Sequence, residues 1–365
     1  MGDCVMPRKT RKLDRANGKS IYEQIAEWIL EEIKAGNFRS GEKLMSTREI
    51  CELFGVNHLT VRQAIKKLGD DGVLDIIPGR GAFVANLSAR QKKILLMLPN
   101  LKHGQSGEIS SGVSQVLLKA NCNVFLVDYH DQMTVEQEYL RRIKDDGYDG
   151  AIIYPSMQAE NVAIMLQLMM SGFPVVVLDR EMKDVPGSYV LSDNYAGGYL
   201  AGSHLVGKGC QRIGCITTSL WSAERRLDGF CAALAENGVR VRRELIKEVG
   251  PEGDVNHRAT AELLALPDRP DGIFYYNDFQ ALIGYKQIKS AGLCVGEDIQ
   301  VVGFDDISVA ELLDPPLTTV KQNSEEVGRR AADLLIEQIE LGPGASHPHM
   351  KEITVPVELV IRASA

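Results

Sequence analysis

The sequence predicts an α/β protein in two parts, an N-terminal winged helix-turn-helix and a larger, two-lobed, doubly wound body. Three observations carry this. Capped helical segments and a glycine-turned hairpin fill residues 20–85, β-rich runs then alternate with helical stretches to the C-terminus, and the charge divides at the same place. Residues 1–93 hold 17 Lys and Arg against 12 Asp and Glu, net +5; the remaining residues hold 24 against 37, net −13, giving −8 for the 365-residue chain. A small basic module on an acidic globule suits contact with a polyanion through one end only.

The first helical segment opens at Ser20, which forms a capping box with Glu23, and carries Ile21, Ile25, Ile29 and Ile33 with Trp28 on one apolar stripe before Gly36 ends it. A second box, Ser46 with Glu49, starts a short helix through Ile50, Leu53 and Phe54 that stops at Gly55. Asn57 caps a third helix. There Val61, Ala64, Ile65 and Leu68 pack inward, Leu59, Gln63 and Lys66 lie opposite, and Thr60 and Arg62 flank them. Two strand-like runs, 73–77 and 82–85, surround Pro78-Gly79-Arg80-Gly81 and form a hairpin with a cationic tip. In such a layout the third helix enters the major groove of DNA. Gln63 or Asn57 can reach adenine, Arg62 guanine or a phosphate, and Leu59 a thymine methyl; Arg80 sits in or beside the minor groove.

These residues carry a resemblance. Tyr22-Glu23-Gln24-Ile25, Gly41-Glu42-Lys43-Leu44, Arg48-Glu49-Ile50, Thr60-Val61-Arg62-Gln63-Ala64-Ile65 and Gly79-Arg80-Gly81-Ala82-Phe83-Val84 resemble the winged helix-turn-helix of the GntR family of bacterial regulators, without a gap over residues 20–85. The resemblance implies DNA contacts at Arg48, Asn57, His58, Thr60, Arg62 and Gly79. Met45 stands where the family usually has Pro, and Asn57 and His58 where it often has Ser and Arg, so the recognised sequence is expected to be unusual. For Arg48 the structural alternative is an ion pair with Glu49 or Glu52, and for His58 a surface histidine.

Beyond a linker at 86–93, β-rich runs occur at 94–98, 123–127, 151–154, 175–179, 213–216, 245–249, 273–276 and 299–304. Their alternation with helical stretches predicts parallel sheets covered on both faces, and a break near Tyr189 to Asn194 suggests two similar halves. A cleft between doubly wound lobes is lined by loops at the carboxyl ends of the strands. Those loops hold Tyr154-Pro155-Ser156, Asp179-Arg180, Ser192-Asp193-Asn194, Arg225-Arg226, Asn277-Asp278 and Asp305-Asp306. Carboxylates, amides and an arginine fork facing an aromatic such as Trp221 or Phe304 suit a sugar or similar polyhydroxylated effector. Asp278 is expected to cap the helix that follows it, and Asp193 either caps the helix from Tyr195 or faces the ligand.

The body is similar to the effector-binding domain of the LacI/GalR family, itself periplasmic-binding-protein-like. The motifs are Asp149-Gly150-Ala151-Ile152-Ile153, Val176-Val177-Leu178-Asp179-Arg180, Ser192-Asp193-Asn194, Pro270-Asp271-Gly272-Ile273-Phe274, Val301-Val302-Gly303-Phe304-Asp305-Asp306 and Leu317-Thr318-Thr319-Val320-Lys321-Gln322. The resemblance implies effector contacts at Arg226, Asn277, Asp305, Asp179 and Asp193, and a homodimer formed through the body at residues 94–365. The pairing of heads and bodies resembles arabinose-repressor-type regulators. The loop Leu101 to Ile109 matches nothing and is expected to set ligand identity.

Other classes have little support in the residues. With 44% hydrophobic and 25% charged residues the composition is that of a soluble chain of two or three domains. No apolar run of about eighteen residues occurs, and residues 1–19 form a basic tail without the apolar core of a secretory signal, so a cytoplasmic protein is expected. Cys4, Cys51, Cys122, Cys210, Cys215, Cys231 and Cys294 lie in apolar stretches without Cys-x-x-Cys spacing, which points to free thiols rather than disulfides or zinc. His347-Pro348-His349 sits in a Gly/Pro-rich segment and is expected to be a surface loop. The phosphate-binding, hydrolase and zinc-protease motifs are missing from the body, so neither catalysis nor a cofactor is expected. The expected partners are an operator in double-stranded DNA and a small-molecule effector, with no membrane.

Overall fold

The computed structural model describes residues 19–85, 91–101, 104–182, 185–250, 258–341 and 350–365. The tail through residue 18 with Cys4, linker residues 86–90, Lys102 and His103 of the unmatched loop, and His347 and His349 lie outside the described residues. The chain divides into two compact units between Gln91 and Lys92.

In the first unit, helix α1 (Ile21–Lys34) starts at the Ser20–Glu23 capping box, and α2 (Thr47–Phe54) at the Ser46–Glu49 box. Gly55, at φ +65°, supplies the left-handed turn that ends α2. Two residues later Asn57 caps α3 (His58–Asp70). The apolar stripes meet in one cluster of Ile25, Ile29, Ile50, Phe54, Val61, Ala64 and Leu68, with Ile65 half-buried at its edge. Strands β1 (Leu74–Ile77) and β2 (Gly81–Val84) form the antiparallel wing, with Ile77 opposite Gly81 and Lys43 bridging to Phe83.

The second unit is built twice on one plan. The first lobe runs β3 (Lys92–Leu98), α4 (Gly104–Lys119), β4 (Cys122–Asp128), α5 (Met133–Arg142), β5 (Gly150–Ile153), α6 (Ala159–Met170), β6 (Val175–Leu178) and β7 (Ser188–Ser192). The second runs α7 (Asn194–Gly207), β8 (Ile213–Thr218), α8 (Trp221–Glu236), β9 (Ile246–Val249), α9 (Arg258–Leu264), β10 (Gly272–Tyr275), α10 (Asp278–Ser290), β11 (Gln300–Asp305) and β12 (Thr318–Lys321). The chain then returns to the first lobe as α11 (Ser324–Leu341) and β13 (Glu352–Val355), and crosses once more to β14 (Glu358–Val360).

The sheets have equivalent orders, β13-β7-β6-β5-β3-β4 and β14-β12-β11-β10-β8-β9. All pairings in them are parallel except β12 with β14. Each sheet is buried on both faces. Ile94, Leu96 and Leu98 of β3 pack with α4 and α11, while Leu95 and Met97 face Leu140 of α5 and Met165 of α6; this is why the strands read as continuous apolar runs.

The expected boundary near Tyr189 to Asn194 falls where the first lobe ends: β7, its fifth strand, stops at Ser192, and Asp193 joins it to α7, the first helix of the second lobe. One expectation needs correction, that of two simply successive halves. The halves exchange chain three times, through Asp193, Gln322-Asn323 and Pro356-Val357, because β7 and β12 feed the opposite lobe and β13 and β14 complete the two edges.

Candidate functional site

The head presents a polar face opposite its core. His58, Leu59, Arg62, Gln63 and Lys66 of α3 are exposed, whereas Val61, Ala64 and Leu68 are buried. Asn57 Oδ1 accepts the Thr60 N–H at 2.9 Å and the Thr60 hydroxyl at 3.0 Å, so this pair fixes the start of α3, and the Asn57 side-chain amide N–H2 makes no bond to the described residues. Arg48 takes the structural alternative in part: its Nε donates to Glu52 at 3.2 Å, although the guanidinium stays exposed. Gly79, at φ +75°, turns the wing, and the Arg80 guanidinium lies 5.7 Å from the Phe83 ring centre.

The cleft of the body is assembled at the carboxyl ends of the strands of both lobes. From the first come Pro99, Gly104, Gln105, Ser106, Asp131, Tyr154, Asp179 and Arg180; from the second, Leu220, Ser222, Arg226, Tyr276, Asn277, Phe279, Asp305 and Ile307. Four of the five expected effector residues, Asp179, Arg226, Asn277 and Asp305, therefore converge. Asp193 is not among these lining residues; its Oδ1 accepts the Ala196 N–H at 2.9 Å and caps α7. A second hollow, between α5 and α6 with Arg141, Lys144, Glu160 and Gln167 in its walls, lies on helix flanks and takes no residue from a strand end.

Arg226 is 5% exposed and held from four sides. Its Nε donates to Asn194 Oδ1 at 2.8 Å, its Nη1 donates to the Tyr276 carbonyl at 2.6 Å and lies 3.5 Å from Asp305 Oδ1, and Phe304 stacks beneath the guanidinium at 3.6 Å. Its Nη2 makes no hydrogen bond to the described residues. Such immobilisation leaves a donor of fixed direction. It depends on Gly198 of α7, where a methyl group would overlap the Arg226 carbonyl oxygen; Gly229 of α8 meets Tyr195 in the same way.

Asp179 is 6% exposed, with φ +55°. Its Oδ2 accepts the Tyr154 hydroxyl at 2.6 Å, while Oδ1 is buried without a hydrogen-bond partner among the described residues. Burial, followed by the negative charge of Asp179, pushes the Tyr154 phenol well above its ordinary value, so it remains a donor. The loop carrying Tyr154 is fixed by buried Glu136, which accepts the Ser156 N–H and the Asn161 amide, and by Tyr129, whose hydroxyl donates to the Tyr154 carbonyl. Asp305 stands at φ +115° and accepts the Gln322 amide at 2.8 Å.

Three readings of this region change. Asn277, not Asp278, caps α10, through Oδ1 and the Gln280 N–H at 2.9 Å. Asp278 is instead buried beneath the cleft, where it accepts the Thr319 hydroxyl at 2.6 Å and the Ile307 N–H at 3.0 Å. Burial first, then the charge of Asp305, push its carboxyl up to about 8. Phe304 is wholly buried under Arg226, and Trp221 packs on the first lobe's core, so neither offers a ring face to a ligand. The exposed ring in the cleft is Phe279, which sequence reasoning missed although it directly follows Asn277-Asp278 in the first turn of a helix.

Residues 21–84 match the family model for bacterial regulatory proteins of the gntR family, and residues 203–365 the model for a periplasmic binding protein-like domain. The HTH-type transcriptional repressor PurR of Aliivibrio salmonicida is 30% identical over 234 residues, 64% of this chain and 70% of that protein. The arabinose metabolism transcriptional repressor of Geobacillus stearothermophilus is 29% identical over 355 residues, 94% of this chain and 97% of that one. Among solved structures, a LacI family transcriptional regulator from Enterococcus faecium with bound ribose superposes with a TM-score of 0.63 at 27% identity, covering 75% of this chain and 98% of that one. Among the described residues no helix is long and apolar enough to cross a membrane. The chain belongs to the LacI-type bacterial transcriptional regulators, with a gntR-family DNA-binding head ahead of a periplasmic-binding-protein-like body.

Proposed function

We propose that the protein is a repressor in the cytoplasm whose cleft binds a sugar or related neutral polyhydroxylated molecule, and that it acts by binding rather than catalysis. The observation that carries this reading is the buried Asp179 Oδ1 without a partner among the described residues, beside a phenol that already serves Oδ2. A buried acceptor left unmade costs about 1–3 kcal/mol, and a ligand donor recovers it. Arg226, which lines the same cleft, brings Nη2 as a donor. A hydroxyl group both donates and accepts, so a polyol spans the two, while Phe279 supplies a ring face. The Enterococcus faecium neighbour holds ribose, and the Geobacillus stearothermophilus relative represses arabinose metabolism; both favour a sugar.

Operator contacts fall in this reading on Arg48, Asn57, His58, Thr60, Arg62, Gln63, Gly79 and Arg80, two heads of a homodimer meeting a two-fold site. Effector contacts fall on Asp179, Arg226, Asn277 and Asp305, while Asp193 supports α7. Asn194, which directly follows the crossing at Asp193, holds Arg226, and Gln322, in the second crossing, holds Asp305. A ligand held by Asp179 of the first lobe and by Arg226 and Asp305 of the second thus acts across the crossings and biases lobe closure.

A thermal-shift screen of pentoses, hexoses and nucleosides tests the assignment. A stabilising sugar whose effect disappears in R226A and D179N supports it. A hit unchanged in both variants, or a screen in which only charged compounds stabilise, refutes it.

A further inference from the structure

Leu59 is the second residue of α3 and is 71% exposed, whereas Val61, Ala64 and Leu68 of the same helix are buried and Ile65 is half-buried. Removing a leucine side chain from water is favourable, so in the isolated head this side chain leaves that contribution unused. It lies outside the apolar cluster of the head. Its helical neighbours at i+3, i+4 and i+7 are Arg62, Gln63 and Lys66, all exposed, and His58 precedes it. An apolar side chain is thus surrounded by groups suited to phosphates and base edges.

Leucine neither donates nor accepts a hydrogen bond. In the major groove the apolar group on a base edge is the C5 methyl of thymine, and the N-terminal residues of the recognition helix are those that approach base edges. We infer that Leu59 packs on a thymine methyl in each half-site and makes that thymine part of the recognised sequence. The inference rests on α3 lying in the major groove with Arg62 and Gln63 toward the DNA. It goes further in naming a base and the atom of it that is read.

The test uses the full-length protein and duplexes enriched by it from a random pool. Each thymine of the enriched half-site is replaced singly by deoxyuridine, which removes the methyl and leaves every hydrogen-bonding group in place. One replacement is expected to weaken binding roughly threefold to tenfold, the scale of one or two buried apolar carbons. In L59A that duplex and its thymine parent should bind equally, and L59M, which keeps apolar surface, should retain the difference. Because Leu59 is outside the core, L59A is expected to fold, which circular dichroism checks. Equal binding of all deoxyuridine duplexes, or a loss that persists in L59A, overturns the inference and leaves the placement of α3 standing. Failure of the protein to enrich any duplex overturns both together.

Discussion

The two lobes of the body share a strand order and a way of bringing helices together, yet they meet the cleft with different chemistry. In the first lobe Gly112 of α4 and Gly328 of α11 lie against the Glu325 and Ile109 carbonyls; in the second, Gly198 and Gly229 lie against those of Arg226 and Tyr195. At the strand ends the first lobe offers Asp179, braced by Tyr154, as an acceptor, and the second offers Arg226, braced by Asn194 and Phe304, as a donor. The scaffold positions the strand ends, and the few residues just beyond them decide what is bound.

If the second lobe is the donor side, R226A should have the largest effect, a loss of about 2–5 kcal/mol in effector affinity by calorimetry, because Asp305 also loses its ion partner. The paired glycines sharpen the contrast. G112A and G198A should each destabilise the folded body by about 3 kcal/mol in denaturant titrations, since each new methyl meets a backbone oxygen. Among folded molecules, however, G198A alone should weaken effector binding, because the displaced backbone is that of Arg226. Equal effects of the two on binding would break the proposed division of labour. D179N, which turns the unpartnered acceptor into an amide, should cost about 1–3 kcal/mol of affinity while leaving operator binding in the absence of effector unchanged.

The smallest effect concerns Asp278. Its folded value of about 8 lies above the ordinary 3.8, so between those limits the folded chain binds more protons than the unfolded one. Stability therefore falls as pH rises through that window. D278N should flatten the decline, gaining on the unmodified protein between about pH 4 and pH 8 in denaturant titrations. Parallel pH profiles for the two proteins would remove Asp278 as the cause.

The head was legible almost to the residue because its signals are local: Ser20 with Glu23, Ser46 with Glu49 and the Asn57 cap each act within three residues. In the body, alternation revealed the strands whose neighbours follow closely. It could not reveal that α11 and β13 return to a lobe left at Ser192, since pairing of β13 with β7 joins residues far apart in the chain. The cleft was legible as a set of strand-end loops. Its internal wiring was not, because Asn194–Arg226 and Gln322–Asp305 are contacts between separate elements. Phe304 was misread for a related reason: it lies on β11 ahead of the loop and points into the core, whereas Phe279, in the first turn of α10, stays exposed.

The most direct measurement is operator affinity of the full-length protein, titrated with the sugar found by screening, in the unmodified and R226A forms at one salt concentration. Occupancy of the cleft should change the unmodified protein's affinity by roughly 5- to 150-fold and leave R226A unaffected. An operator affinity that stays constant while calorimetry shows the cleft filled would contradict the coupling of the two domains.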